Sequence, residues 1–365
     1  MLLLSLAIAL FAADGPAPSE PKGLDIYFID VMGGAATLVV TPERESILID
    51  SGWPGLEDRD PKRIEHVLKD VAGLDHLDHL VTTHWHTDHY GGVEGLAKRL
   101  RIDHFWDRGL PDPTAPNGDK VKYPDGPRAD DKLGIAYRKA SEGKRQAVKA
   151  GDKLPLKGSI EAIVLAASGE VITPTDPSGP ANPLCAEALP DQPVDGSDNA
   201  RSIVLRFRLG KFAFLDCGDL TWNVEKKLVC PRDLIGPIDL YQVTHHGMDI
   251  SNHPTLLRTI APTVAIMNNG PRKGGAPNTV KLLKSLPSLR AAYQLHKNAQ
   301  TGPDENTEAS KIANGNPEGG QFVHASVAPD GSTFRVRIGK DGEFTVFPTR
   351  APVGLPVQPP ERIRP

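Results

Sequence analysis

The sequence of 365 residues predicts a layered α/β domain with β-sheets inside and helices outside. Its main support is that strand patterns alternate with amphipathic helix patterns in two halves of the chain. The 35 glycines and 34 prolines make up about a fifth of the residues, above the usual share of roughly 12%, and predict many turns and long loops. A hydrophobic fraction of 39% is enough for a globular core, and the length allows one large domain or two small ones.

The first half begins with three predicted strands and continues as helix, strand and helix. The three strands cover residues 24–30, 36–40 and 46–50, with turns between them at Gly33 and Gly34 and at residues 42–45. Apolar residues at positions 64, 67, 68 and 71 give residues 61–71 one apolar face, as expected of a helix. A short buried strand at 79–83 and an amphipathic helix at 93–100 follow.

Two loop-rich segments interrupt the chain. Residues 107–157 are rich in Pro, Gly and Asp and are predicted to form an insertion over the rim of the core, with one basic helical stretch at 133–149. Residues 173–198 contain six prolines and are predicted to form a long loop. The rest of the chain has predicted strands at 160–166, 202–209, 211–216, 239–244 and 263–267, helices at 224–229, 254–260 and 279–286, and a closing hairpin of strands at 334–338 and 343–347.

Net charge and cysteine content exclude several classes of protein. A formal charge of −4 and a pI near 6.3 leave no global basic field for a polyanion, so nucleic acid stays open as a partner without support from net charge. Three cysteines are too few and too scattered for a disulfide scaffold or a zinc ribbon, although one bridge can form. Cys217 lies inside an apolar strand pattern, so we expect a buried, inert thiol there.

Both ends of the chain differ in composition from the region between them. Residues 1–11 form an apolar run of signal-peptide length, too short to span a bilayer, which needs about 20 residues. We therefore expect a signal peptide at 1–13, a Pro-rich linker at 14–23, no stable membrane span in the mature chain, and export to the periplasm or the medium. A frayed hydrophobic N-terminus is the alternative. Residues 351–365 are expected to form an exposed Pro-rich tail.

The strongest chemical signal is an H-x-H-x-D-H pattern directly after a predicted buried strand. It places His84, His86, Asp88 and His89 within six residues, just before a predicted helix. His84 and His86 point the same way if strand geometry continues, and the turn can bring Asp88 and His89 to a second point in space. Imidazole and carboxylate groups are ligands for zinc and for harder ions such as manganese. The pattern predicts a metal site.

This pattern resembles the signature of the metallo-β-lactamase superfamily. The resemblance implies an αββα four-layer sandwich with a two-metal site at one edge. It also implies that Asp219, in a Cys-Gly-Asp element after a strand, bridges the two metals, with Asp216 as the rival. His246, in the His-His-Gly element, is then a metal ligand and His245 a substrate or transition-state contact, although these two assignments can be exchanged.

The first metal position departs from the superfamily pattern. The superfamily usually has a further histidine before the Gly-Asp element, but no histidine occurs between His104 and His245. Residues 195–202 stand there instead, and Asp198 and Asn199 are candidates for additional metal or substrate contacts. Position one then has His84, His86 and Asp219, and position two has Asp88, His89, His246 and Asp219. We expect two zinc ions, or one if position one is weak, and an oxygen-rich position one that tolerates Mn²⁺.

The segment at 195–202 resembles the hydrolase domain of competence-protein (ComEC-type) DNA-uptake proteins. The resemblance extends to residues 27–31 and 48–52 and covers roughly residues 24–285, but residues 32–36 lack that group's polar Gln-Gly-Asp turn. It implies that residues 24–350 form a hydrolase domain with phosphodiesterase activity.

In this interpretation Asp88 and His245 are the catalytic candidates, and the substrate is a small molecule or a phosphoester. Arg272 or Lys273 either approaches an anionic substrate or lies in a solvated loop. The alternatives are a lactone or β-lactam-type amide or ester hydrolase and a non-catalytic, exported metal-binding protein. The isolated histidines are expected to be structural or solvent-facing, and His296 to lie at the surface.

Overall fold

The computed structural model describes residues 22–350, except residues 113, 115–118, 129, 175–177 and 317. These residues form two β-sheets packed face to face, with helices on both outer faces. The predicted αββα sandwich is therefore confirmed. The predicted signal peptide, most of the predicted linker and the predicted C-terminal tail lie outside the described residues.

The first sheet combines the start and the end of the described chain. Its nine strands run in the order β17-β16-β15-β1-β2-β3-β4-β5-β6. They are β1 (Leu24–Phe28), β2 (Thr37–Val40), β3 (Ser46–Ile49), β4 (Leu77–Val81), β5 (Ile102–Asp107), β6 (Arg145–Ala147), β15 (Val323–Val327), β16 (Thr333–Ile338) and β17 (Thr345–Pro348). The pairs β3–β4, β4–β5 and β5–β6 are parallel, so the loops that follow β3 and β4 emerge at the same edge.

The second sheet has eight strands in the order β14-β13-β12-β11-β10-β9-β7-β8. They are β7 (Glu161–Ala167), β8 (Glu170–Val171), β9 (Val204–Leu209), β10 (Phe212–Asp216), β11 (Leu240–Gln242), β12 (Val264–Met267), β13 (Ala291–His296) and β14 (Ile312–Asn314). Strands β10, β11 and β12 are parallel neighbours, so the segments that follow them also share one edge.

The helices divide between the two outer faces. In the described part of the chain they are α1 (Arg59–His66), α2 (Thr87–Tyr90), α3 (Val93–Arg99), α4 (Lys132–Ala140), α5 (Trp222–Lys227), α6 (Pro254–Ile260) and α7 (Pro277–Lys284). Apolar residues of α1 to α4 pack on the first sheet, and those of α5 to α7 pack on the second. A wider helical turn, Val67–Val71, follows α1 directly, so the two together cover the whole predicted helix at 61–71.

The core is apolar on both faces of each sheet. Side chains alternate along a strand, so Ile26 and Phe28 of β1 point between the sheets while Tyr27 points to the helix layer. Phe28 meets Phe214 of β10 edge to face, with 5.8 Å between the ring centroids. An aromatic pair of this kind contributes about 0.5–1.5 kcal/mol beyond its buried area. These contacts fix the two sheets, and the loops at their edges, relative to each other.

One predicted helix is wrong in its second half. The predicted helix at 133–149 ends with α4 at Ala140, and residues 145–147 form the edge strand β6. Gly143, with φ of 71°, makes the turn between them, in a backbone conformation that glycine adopts without steric cost. Strands β13, β14 and β15 lie where the sequence pattern assigned no element, because their apolar residues do not alternate over a long enough run.

The cysteines form one bridge. Cys185, in the Pro-rich loop, is bonded to Cys230 after α5, with Cα atoms 5.7 Å apart. Cys217 is buried with a free thiol, as expected. The bridge ties the loop that precedes Asp198 to the helix layer of the second sheet. Among the described residues there is no helix long and apolar enough to cross a membrane.

Candidate metal centre

Three loops meet where the carboxyl ends of the parallel strands of both sheets face each other. The H-x-H-x-D-H motif follows β4, Asp219 follows β10, and His245 and His246 follow β11. Because the two sheets pack face to face, residues more than 150 positions apart in the chain come into contact here. The fold therefore gathers the predicted site residues at one edge.

Asp88, His89, Asp219 and His246 form a buried cluster whose candidate ligand atoms all lie within 4.8 Å of one another. Asp219 Oδ2 is 3.2 Å from His89 Nε2 and 3.2 Å from His246 Nε2. Asp88 Oδ2 is 3.3 Å from each of the same two nitrogens. Ligands about 2.0–2.1 Å from a tetrahedral zinc ion are separated by similar distances. These are the four residues that the sequence assigned to position two.

The two imidazoles of this cluster are oriented by partners on their outer sides. His89 Nδ1 lies 2.6 Å from Asp50 Oδ2, and His246 Nδ1 donates to the carbonyl of Asn268 at 3.1 Å. Each ring therefore directs Nε2 inward, and the two Nε2 atoms are only 3.3 Å apart. Two such nitrogens need a positive charge between them, which a proton or a divalent ion supplies. The residues present thus fit a metal ion.

His84 also presents a bare nitrogen to the cluster. The Thr83 hydroxyl donates to Asp50 Oδ2 at 2.7 Å, so it accepts from His84 Nδ1 at 3.0 Å. His84 Nε2 is left buried without a hydrogen-bond partner, 4.0 Å from Asp219 Oδ2. Burial also lowers the pKa of His84 well below its ordinary value, which keeps the ring neutral. A neutral ring with a free Nε2 is the form that binds metals.

His86 lies next to His84 at the rim of the site. The two ring centroids are 4.7 Å apart. His86 Nε2 is 3.0 Å from Asp125 Oδ2, in the segment predicted to be an insertion, so Nδ1 is the nitrogen that remains for a metal. The side chain is 28% exposed, so this side of the centre is open to solvent.

The turn after β11 directs two adjacent histidines to one carboxylate. Neighbouring residues of an extended chain point to opposite sides, but His245 and His246 adopt left-handed backbone conformations with φ of 54° and 55°. Such conformations cost on the order of 1–3 kcal/mol each and cluster at functional sites. As a result His245 Nε2 lies 3.4 Å from Asp219 Oδ2. Burial lowers the pKa of His245 to about 4.

The carboxylate of Asp198 is bound by other residues and is not part of the cluster. Its carboxylate and Arg108 form an ion pair in which both side chains are fully buried, and Asp198 Oδ2 also accepts from the backbone of Trp85 at 2.7 Å. The backbone N–H of Asp198 donates to Asp125 at 2.7 Å. With both oxygens engaged, Asp198 positions the His84–His86 loop and does not point a free oxygen at a metal.

Asn199 remains beside the centre. Its Nδ2 is 3.4 Å from His245 Nε2, and its Oδ1 is buried without a partner. Asp216, the rival to Asp219, accepts from the backbone of Gly218 and is not part of the cluster.

Electrostatics favour ionised carboxylates in this centre. Burial by itself raises the pKa of Asp88, but the charges of His89 and Lys273 outweigh it and hold this pKa well below its ordinary value. Burial likewise opposes a charge on His89, but the carboxylates of Asp219, Asp88 and Asp50 raise its pKa well above the ordinary value. A divalent ion therefore competes with a proton for His89, and its binding releases that proton.

Lys273 is the one predicted substrate cation with a contact to the cluster. Its ammonium group contacts Asp88 Oδ2 and lies 5.3 Å from the centre of the Trp53 ring. About a third of its side chain is exposed, so it borders both the cluster and solvent. His296, in contrast, is fully buried and 2.7 Å from Asp30, so the expectation of a surface histidine is wrong.

Sequence reasoning missed the residues that orient the histidines: Asp50, Thr83, Asp125 and Ser251. Asp50 could have been noticed, since a carboxylate that ends a buried apolar strand needs a partner. No local signal marks Asp125 or Ser251, whose partners are set by the packing of loops.

Comparisons with known proteins give one family match and several similar solved structures. Residues 29–179 match the family model described as the metallo-β-lactamase superfamily. No curated protein sequence matches the chain. Similar solved structures include CmlA, a diiron β-hydroxylase from Streptomyces venezuelae, with 17% identity and a TM-score of 0.38 over 68% of this chain and 45% of that one. The chain thus spans about half the length of that enzyme.

Two further structures extend the comparison. The metallo-β-lactamase fold protein YhfI from Bacillus subtilis has 10% identity and a TM-score of 0.41, over 75% of this chain and 96% of that one. Zinc-bound PqqB from Methylobacterium extorquens has 10% identity and a TM-score of 0.34, over 60% and 71%.

Proposed function

We propose that this chain is an exported metal-dependent phosphodiesterase of the metallo-β-lactamase superfamily, because residues 29–179 match that family model and because two imidazoles and two carboxylates form a buried cluster. The observation that carries the proposal is the pair of inward-facing nitrogens of His89 and His246, 3.3 Å apart. Their outer nitrogens are bound to Asp50 and to a backbone carbonyl, which is the arrangement found around metal-ligating histidines.

His89, His246, Asp88 and Asp219 would hold one divalent ion. His84, whose Nε2 is 4.0 Å from Asp219 Oδ2, and its neighbour His86 would help to hold a second. Zinc suits these ligands, and manganese remains an alternative. When bound, such ions lower the pKa of a water molecule toward neutrality and polarise the oxygen of the scissile bond. The chain itself contributes the ionised carboxylates and the fixed ring orientations.

A phosphodiester is the substrate class that Lys273 favours. A cation at the border between the metal cluster and solvent attracts a negatively charged group to the place where the reaction occurs. The resemblance of residues 195–202 to ComEC-type hydrolase domains supports the same class. The net charge of −4 favours a small diester or a nucleic-acid fragment over a long polyanion.

The bridge between Cys185 and Cys230 supports export, since such bonds persist mainly in oxidising compartments. N-terminal sequencing of the protein recovered from the periplasm or medium tests this. We expect a mature chain that begins near residue 14, and recovery only from the cytoplasm with residue 1 intact would contradict export.

The activity is tested by elemental analysis of the purified chain together with hydrolysis of bis-p-nitrophenyl phosphate. Asp219→Asn removes the central carboxylate charge, and Asp216→Asn is the matched control three residues upstream. Bound metal with diesterase activity that only Asp219→Asn abolishes supports the proposal. Metal without diesterase activity points to a lactone or amide substrate, and a chain that binds no metal is not a metalloenzyme.

A further inference from the structure

Four histidine nitrogens surround a single carboxylate oxygen in this protein. Asp219 Oδ2 is 3.2 Å from the Nε2 atoms of His89 and His246, 3.4 Å from that of His245 and 4.0 Å from that of His84. The first two nitrogens belong to the cluster with Asp88. The other two approach the same oxygen from outside that cluster, and of these His245 has no metal position assigned to it so far.

The hydrogen-bond partners of His245 fix its proton on the outer nitrogen. The Ser251 hydroxyl donates its only hydrogen to the carbonyl of Leu220 at 2.7 Å, so its oxygen accepts from His245 Nδ1 at 3.0 Å. His245 Nε2 therefore carries a lone pair and faces Asp219. A ring in this form cannot donate a hydrogen bond from Nε2 to a substrate oxygen.

The hydrogen bonds of His84 give its ring the same tautomer. Its Nδ1 donates to Thr83, and its bare Nε2 is buried without a partner. Both lone pairs approach the same carboxylate oxygen, and the amide of Asn199 makes only a long contact of 3.4 Å with His245 Nε2, so a cation among these atoms would relieve the repulsion. His86, whose ring centroid is 4.7 Å from that of His84 and whose Nε2 is 3.0 Å from Asp125, is the nearby candidate for a third imidazole.

We propose that His245 is a metal ligand that completes the first metal position together with His84, His86 and Asp219. Asp198 cannot take this place, because Arg108 and the backbone of Trp85 occupy its oxygens. Asn199 borders His245 but contributes only a weak amide contact at 3.4 Å. The assignment rests on the proposed metal centre and is independent of the proposed diesterase activity. It makes the first position rich in nitrogen, which favours zinc over manganese.

The test is the stoichiometry of zinc binding to the metal-free chain, measured by calorimetric titration with zinc alone and by elemental analysis after gel filtration. We expect two equivalents for the wild type and one for His245→Ala, with the second restored by added imidazole that refills the cavity. Asn199→Ala and His253→Ala, a buried histidine outside the centre, should retain two.

Each other outcome overturns the assignment. If His245→Ala still binds two zinc ions, His245 is a substrate contact. If Asn199→Ala binds only one zinc ion, Asn199 is the ligand instead. If the wild type binds only one zinc ion, the first metal position does not exist. If His245→Ala does not fold, Ser251→Ala keeps the ring and releases its outer nitrogen. We then expect a 10–100-fold weaker second binding event, and unchanged affinity refutes the assignment. Because hydrolysis is not the readout, an inactive but two-zinc protein contradicts only the diesterase proposal.

Discussion

Replacing Asp50 with asparagine should weaken both metal positions at once. Asp50 Oδ2 accepts from His89 Nδ1 at 2.6 Å and from the Thr83 hydroxyl at 2.7 Å, and Thr83 in turn accepts from His84 Nδ1. In Asp50→Asn the amide oxygen can still accept from the Thr83 backbone, as Oδ1 does at 2.8 Å. The amide nitrogen then replaces Oδ2 and donates where Oδ2 accepted.

This single exchange reverses two histidine tautomers. An amide N–H that faces His89 Nδ1 leaves the ring proton on Nε2, which points into the cluster. The Thr83 hydroxyl, which loses its carboxylate acceptor in this variant, donates to His84 Nδ1 and has the same effect there. Loss of an orienting partner of a metal-bound histidine typically lowers affinity 10–100-fold, or about 1.4–2.8 kcal/mol. We expect a loss of this size for each position.

Zinc affinity is measured by competition with a chromophoric chelator. The metal-free variant should fold, because burial raises the pKa of Asp50 and its charge is therefore costly to the folded state. Asp60→Asn is the matched control: Asp60 is also a buried carboxylate with a raised pKa, but it contacts Arg59 and the backbone of Trp53 and no histidine. Wild-type zinc affinity in Asp50→Asn, or an equal loss in Asp60→Asn, would refute the reasoning.

Three further variants test other parts of the structure. Burial raises the pKa of Glu225 from 4.5 to about 7. The folded state therefore favours the protonated carboxyl, and the free energy of unfolding of the wild type falls by roughly 3 kcal/mol as pH rises from below 4.5 through 7. In urea unfolding, the free energy of unfolding of Glu225→Gln should therefore rise relative to that of the wild type between pH 5 and 8. A difference that stays constant with pH would contradict the burial argument. Arg108→Met leaves Asp198 as a buried, unpaired charge and should cost about 3–5 kcal/mol in the free energy of unfolding, whereas Arg108→Met/Asp198→Leu should cost less than the single change. Lys273→Ala should raise the KM for an anionic diester about tenfold at unchanged metal content, because a single charge-assisted contact is lost. Lys273→Arg should retain most of the affinity, and an equal effect on a neutral ester would exclude an anion contact.

The sequence by itself predicted the fold class and the metal cluster. Alternation in the strands and apolar faces in the helices are local patterns, and they defined most elements of both sheets. His84, His86, Asp88 and His89 are adjacent in the chain, so their spacing alone indicated a site. The Gly-Asp order favours Asp219 over Asp216, and the structure brings Asp219 into the cluster.

Only the tertiary structure decided which nitrogen each histidine offers and which residues support it. Asp50 lies 39 positions from His89 and Asp125 lies 39 positions from His86, and these pairs form only when the loops at the edge of the sandwich pack together. Asp198 is the clearest example of what the sequence does not determine. Its position in the chain predicts a metal or substrate contact, but its oxygens are occupied by its buried partner Arg108. The physical reason is that residue type and spacing determine which groups can bind a metal, whereas the hydrogen bonds that orient or occupy those groups join residues far apart in the chain.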